Sequence, residues 1–120
     1  MKYSRSFKHD VKVGQLGEDW AKQFFSGEFK LEVKFDSMAH TSGKVFIEYY
    51  SRGKPSGIAV TDADYYLYII AEFNHAIILN VENLKERLRY YYKHKMYIRN
   101  GGDDDTSVGF LVPMEELLTV

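Results

Sequence analysis

Cysteine is absent from the 120-residue chain. Disulfides and thiolate metal sites are therefore excluded, and a reducing compartment is the natural setting. Long apolar runs are absent too: none approaches the roughly 20 residues a membrane-crossing helix needs. The stretch from Met1 to Asp10 is polar rather than signal-like. The expectation is a soluble protein of the cytoplasm with no membrane partner. Charge of one sign is also missing. Sixteen basic against seventeen acidic side chains leave a formal net charge of -1, so no overall pull toward nucleic acid exists. The four histidines (His9, His40, His75, His94) show no paired ligand spacing, which argues against zinc. No phosphate-cradling glycine loop, nucleophile elbow, internal repeat, low-complexity run or linker occurs.

What is present is a globular composition. Hydrophobic residues make up 45% and charged residues 28%, with ten Tyr, eight Phe and one Trp. A chain of this length buries a core without staples, and one domain over residues 1–120 is expected. Residues 1–13 read as a flexible arm or an edge strand. Leu16, Trp20 and Phe24, widened by Ala21 and Phe25, predict a helix over 14–26. Phe29, Leu31, Val33 and Phe35 alternate with charged residues over 28–36, the pattern of a half-buried strand. A Thr-Ser-Gly turn and a second strand over 45–51 follow, which predicts an antiparallel neighbour. Strands are expected over 65–72 and 76–80, around a turn at 73–75. Asn80 is placed to cap a helix over 81–92, a polar loop is expected over 100–105, and a last strand over 108–112. Pro113 is suited to open a short helix. The order fits one α/β or α+β domain with a mixed sheet.

Strand geometry then singles out two acids. Glu32, Lys34 and Asp36 share a face because they lie two apart. Glu48 sits inside the apolar and aromatic stretch 45–50, where a carboxylate is expensive unless paired or bound to metal. Were the two strands adjacent, Asp36 and Glu48 could converge on one cation, with Lys34 on the same side. Phosphodiester hydrolysis needs such an arrangement, because a hard divalent ion on oxygen ligands neutralises phosphate charge and activates water. A strand-end Asp and a salt-bridged Glu are the structural alternative for the same two residues. For Lys34 the alternative is a snorkelling strand lysine.

Gly17-Glu18 on a helix, Asp36 ending a strand and Glu48-Tyr49-Tyr50 on the next strand together resemble the core of the PD-(D/E)XK nuclease superfamily. The closest likeness is to Holliday-junction-resolvase-like and small phage endonucleases. The stretches 46–58 and 101–113 resemble segments of such phage enzymes. The resemblance implies a restriction-endonuclease-like mixed sheet flanked by helices. It also implies Mg²⁺ or Mn²⁺ held by Asp36, Glu48 and the Tyr49 carbonyl, with Glu18 as a further acidic contributor. The lysine expected two residues after Glu48 is Tyr50 here, so Lys34, or secondarily Lys54, takes its place. The implied substrate is DNA, branched or with single-stranded parts. The implied assembly is a homodimer and the implied setting a phage product in host cytoplasm. Tyr50 leaves open a catalytically silent nucleic-acid-binding module on the same fold.

Cations for DNA are available. Arg89, Lys93, Lys95 and Arg99 interleave with Tyr90, Tyr91, Tyr92 and Tyr97, so phosphates can be held while aromatic faces meet bases. The loop carrying Arg52, Lys54 and Ser56 can grip phosphate as well. An amphipathic helix with core or interface tyrosines, serving protein interaction, explains the first segment equally well.

Overall fold

A computed structural model describes residues 7–70, 74–102 and 105–120, the side chains of 7–9 excepted. The expectations for residues 1–6, 71–73 and 103–104 lie outside these. The chain divides into two compact units, one ending at Lys30 and the other spanning Leu31–Val120.

The first unit is built on α1 (Phe7–Phe25). The helix begins well before residue 14, so at 7–13 helix replaces the expected arm or edge strand. No proline interrupts that stretch, and Gly14 and Gly17 are tolerated as single glycines in a long helix. Gly27, at φ 82°, takes the left-handed conformation that ends helices. Phe24 is buried and stacks on Trp20 at 5.3 Å between centroids. Leu16 and Phe25, expected on a buried stripe, are exposed.

The second unit is α+β. Its elements are β1 (Leu31–Phe35), α2 (Ala39–Ser42), β2 (Lys44–Ser51) and β3 (Lys54–Pro55), then a 3-10 turn (Gly57–Ala59). They continue with β4 (Tyr65–Ile70), β5 (His75–Asn80), α3 (Val81–Lys93), β6 (Ile98–Gly101), β7 (Ser107–Pro113) and α4 (Met114–Leu117). The strands form two sheets. One is mixed, with order β1-β4-β5, and the other is antiparallel, with order β3-β2-β7-β6. The strand β6, read from sequence as the start of a polar loop, pairs at the edge with β7.

Two expectations about β1 are corrected. It does not pair with β2; it runs parallel to β4, which requires a crossover, and β2 and β3 lie within that crossover. The chain leaves the first sheet through α2 and Gly43, which sits at φ 70°. The face of β1 is also inverted. Leu31, Val33 and Phe35 are exposed, whereas Glu32 and Lys34 are half-buried. The register explains this. Glu32 stands beside Tyr66 and Lys34 beside Tyr68, and both tyrosines belong to the core.

That core is shared by both sheets and α3. Val45, Ile47, Phe110 and Val112 come from one sheet, Tyr66, Tyr68, Ile70 and Leu79 from the other, and Leu84, Leu88 and Tyr91 from the helix. The Asn80 carbonyl oxygen of the side chain accepts the Asn83 N–H at 2.9 Å, the expected N-cap. Arg87 fastens the C-terminal segment by donating to the carbonyls of Glu116 (3.2 Å) and Thr119 (3.1 Å). Tyr91 donates to Glu116 Oε1 at 2.6 Å, and Tyr97 donates to Oε2.

Those two hydroxyl donors, Tyr91 first and then Tyr97, hold the Glu116 carboxyl below its ordinary value. The bond to Glu116 in turn pushes the Tyr97 hydroxyl up to about 12. A lowered carboxylate stabilises the fold fully above its unfolded value of 4.5 and loses that contribution as pH falls through its folded value. A raised phenol stabilises below its unfolded value of 10.0 and loses that contribution as pH rises through about 12. Glu116→Gln should therefore lower stability at neutral pH and flatten both limbs of the profile, as read from urea midpoints across the pH range.

Candidate functional site

Asp36, one residue past β1, uses its whole carboxylate. Oδ1 accepts the N–H groups of Met38 and Ala39, both at 3.0 Å, closing the turn into α2. Oδ2 accepts the Phe46 N–H at 3.1 Å, in β2 of the other sheet. The Asp36 N–H donates to the Ile69 carbonyl at 3.2 Å, prolonging the pairing of β1 with β4. One residue thus links both sheets.

Glu48 follows Phe46 by two positions, so it leaves the same face of β2, roughly 7 Å further along the strand. Its Oε2 accepts the Ser56 hydroxyl at 2.8 Å. The loop can press this close because residue 57 is glycine. A Cβ there would stand 2.3 Å from the Glu48 carbonyl oxygen, and φ is 51°. Gly109, the cross-strand partner of Glu48, is equally confined, with a Cβ position 2.5 Å from the Ile47 carbonyl oxygen.

Asp36 and Glu48, from the two sheets, line one cavity of about 680 Å³ together with Lys34, Tyr66 and Tyr68. Neither acid has an ion-pair partner among the described residues. Lys34 does: its Nζ lies 2.7 Å from Glu32 Oε2 and 5.7 Å from the centre of the Tyr66 ring. Glu32 also accepts the Thr61 hydroxyl at 2.7 Å. Burial pulls the Glu32 carboxyl upward, but Lys34 and Thr61 together outweigh it and hold the carboxyl below its ordinary value. Burial, and then the Glu32 charge, push the Tyr66 hydroxyl well above its ordinary value. Burial likewise pushes Tyr68 up, helped by Tyr66, Asp36 and Glu32. Both phenols therefore stay protonated. Tyr66 is 1% exposed; its hydroxyl lies near Glu32 and Thr61 but makes no well-formed hydrogen bond to a described residue.

The remaining predicted residues are distributed as follows. Glu18 is exposed on α1, in the other unit. Tyr49 does not line the acidic cavity; its carbonyl accepts the Ser56 N–H at 3.0 Å. Ser56, expected to grip phosphate, spends its hydroxyl on Glu48. Arg52, at φ 51°, and Lys54 are exposed at the β2–β3 turn. Arg89 and Lys93 are exposed on α3, Lys95 in the turn after it, and Arg99 on β6 with its guanidinium on the Ile98 carbonyl. Sequence reasoning missed Glu32, Thr61, Tyr66 and Tyr68. A signal existed for three of them, because Glu32 shares the Lys34–Asp36 face and the tyrosines alternate in β4. Thr61 gave none.

Among the described residues, no three His, Asp or Glu side chains gather closely enough to hold a metal ion alone. Two carboxylates completed by water and substrate oxygens is nevertheless the usual arrangement for Mg²⁺. The donor set fits it. Glu48 Oε1 accepts no bond from a described residue, and Asp36 keeps about one of four lone pairs. Set against known proteins, the chain matches no family model, no curated protein and no solved structure.

Two stability measurements follow from this geometry. Asp36→Ala strands three backbone donors and should destabilise the fold by about 2 kcal/mol, with Asp36→Asn intermediate because it retains one acceptor oxygen. Tyr66→Phe removes a buried hydroxyl that makes no well-formed hydrogen bond to a described residue and should raise stability, by about 1 kcal/mol. Urea unfolding of the variants checks both signs.

Proposed function

We propose that the cavity is the active site of a metal-dependent DNA endonuclease of the kind the sequence resembles. The observation that carries the reading is a cavity in which, among the described residues, two carboxylates have no cationic partner and one buried hydroxyl makes no well-formed hydrogen bond. A cation and a polar ligand would satisfy all three groups.

Asp36 and Glu48 would hold Mg²⁺ or Mn²⁺. When bound, such an ion supplies charge neutralisation at a phosphate and lowers the pKa of a water molecule. The protein's own part is positional. Three backbone N–H groups fix the Asp36 carboxylate, and the Ser56 hydroxyl fixes Glu48. Such supporting bonds orient ligating carboxylates in metal sites. Tyr66, kept protonated by burial, offers a donor to a phosphate oxygen. Lys34 contributes positive charge, tempered by its pairing with Glu32.

That pairing is also the observation favouring the second reading, a silent DNA-binding module. Lys34 is already engaged, and among the described residues no other lysine lines the cavity. The experiment is cleavage of plasmid and four-way-junction DNA in Mg²⁺, Mn²⁺ or EDTA. Wild type should cut only with metal. Glu48→Gln should lose about 100-fold or more while keeping its fold. Lys34→Ala should lose less than Glu48→Gln. Cleavage that survives EDTA or Glu48→Gln rejects this active site, and binding without cleavage selects the silent module.

A further inference from the structure

Behind the acidic cavity, on the other side of β2, lies a groove of about 510 Å³ that the proposed chemistry does not use. Its base is Tyr49, Ile58, Leu88 and Phe110. Tyr49 meets Phe110 at 5.0 Å and Tyr92 at 6.0 Å, the latter ring perpendicular at 89°. Tyr50 and Tyr92 form its sides and are 38% and 60% exposed, large aromatic areas left open to solvent. Lys85 and Arg89 stand at its rim. Along α3, Lys85, Arg89 and Tyr92 are at i, i+4 and i+7, so they present one face. Arg89 makes no hydrogen bond or ion pair to a described residue. Among the described residues, no Asp or Glu lines the groove.

We infer that this groove binds an unstacked nucleobase of single-stranded DNA, with Arg89 and Lys85 taking an adjoining phosphate. Aromatic side walls with no fixed hydrogen-bond donors in the plane receive any base by its face. Neighbouring cations without acids select an anionic chain. A planar ring joined to an anion is what both features recognise together. Duplex DNA offers its bases only edge-on, so the groove selects unpaired nucleotides.

The position adds to this. Pro55 and Ile58 line the groove, whereas Gly57 between them lines the acidic cavity. The two hollows therefore meet across a single loop, and a nucleotide held in one brings its neighbour's phosphate toward the other. This last step rests on the nuclease reading; base binding itself does not.

The test is fluorescence anisotropy with fluorescein-labelled oligothymidylate and a blunt duplex of equal length, in EDTA so that cleavage cannot intervene. Wild type should bind oligothymidylate about tenfold tighter than duplex. Tyr92→Ala should lose about tenfold on oligothymidylate alone, the usual effect of removing one stacking ring. Arg89→Ala should weaken both ligands and reduce the salt slope by about one. Equal loss on both DNAs, no effect of Tyr92→Ala, or tighter binding of a poly-Glu,Tyr peptide would overturn the inference, the last in favour of an acidic protein partner. Intact binding alongside absent metal-dependent cleavage would instead reject the nuclease reading and leave this site standing.

Discussion

The second unit depends on one carboxylate. Asp36 accepts three backbone N–H groups, two from the turn it initiates and one from a strand of the other sheet. Hydrogen bonds to a charged acceptor are the strong ones, and losing a buried acceptor strands its donors. The bond to Phe46 fixes where β2 begins relative to β1, and thereby where Glu48 emerges two residues later. The same commitment limits the chemistry Asp36 can offer. With most of its lone pairs occupied, it can contribute one oxygen to an ion, not a chelating pair. Glu48, with one oxygen on Ser56 and one unused, is the more available ligand. A metal role would therefore be unequal between the two acids.

The inverted face of β1 shows how an unfavourable arrangement is sustained. Turning Glu32 and Lys34 inward while leaving Leu31, Val33 and Phe35 exposed forfeits hydrophobic burial and desolvates charge. Compensation is local: the ion pair, the Thr61 hydroxyl and the Tyr66 ring face surround the two charges. A strand that kept its apolar row inside would leave the cavity without its lysine. The two charges are thus held inside by local partners rather than by exposure to water.

How much of this could be read beforehand depends on the range of the interaction. The Asn80 cap, β2 and the helix after Pro113 are set by neighbours in sequence, and the pattern identifies them. Asp36 and Glu48 line one cavity, but not through the hairpin that the sequence pattern suggests. Alternation and a short loop suggest a hairpin, whereas the chain crosses between sheets and Asp36 is tied to β2 by its bond to the Phe46 N–H. Nothing local distinguishes these cases, because a carboxylate that caps a turn and one that ends a hairpin strand have the same sequence. The buried side of β1 was hidden for a similar reason: its apolar row points one way in any register, and only pairing with β4 decides which side meets the core. The edge strand β6, Ile98–Gly101, carries no alternation of its own and exists because β7 offers it a partner.

A bulge in β2 decides which way residue 50 points. Glu48 faces Gly109 and Tyr50 faces Val108, so Tyr49 is an extra residue in the ladder. A bulge re-aims the side chains that follow it. Regular alternation would put residue 50 on the Glu48 side, where a lysine could assist chemistry. Past the bulge, Tyr50 lines the aromatic groove and is absent from the acidic cavity. A lysine at this position would stand on the groove side of the strand, away from the acids. The positive charge the cavity does contain arrives from β1, as Lys34, which only the inverted face of that strand makes possible. The bulge places Tyr50 in the aromatic wall, and the inverted face of β1 places a lysine in the acidic cavity.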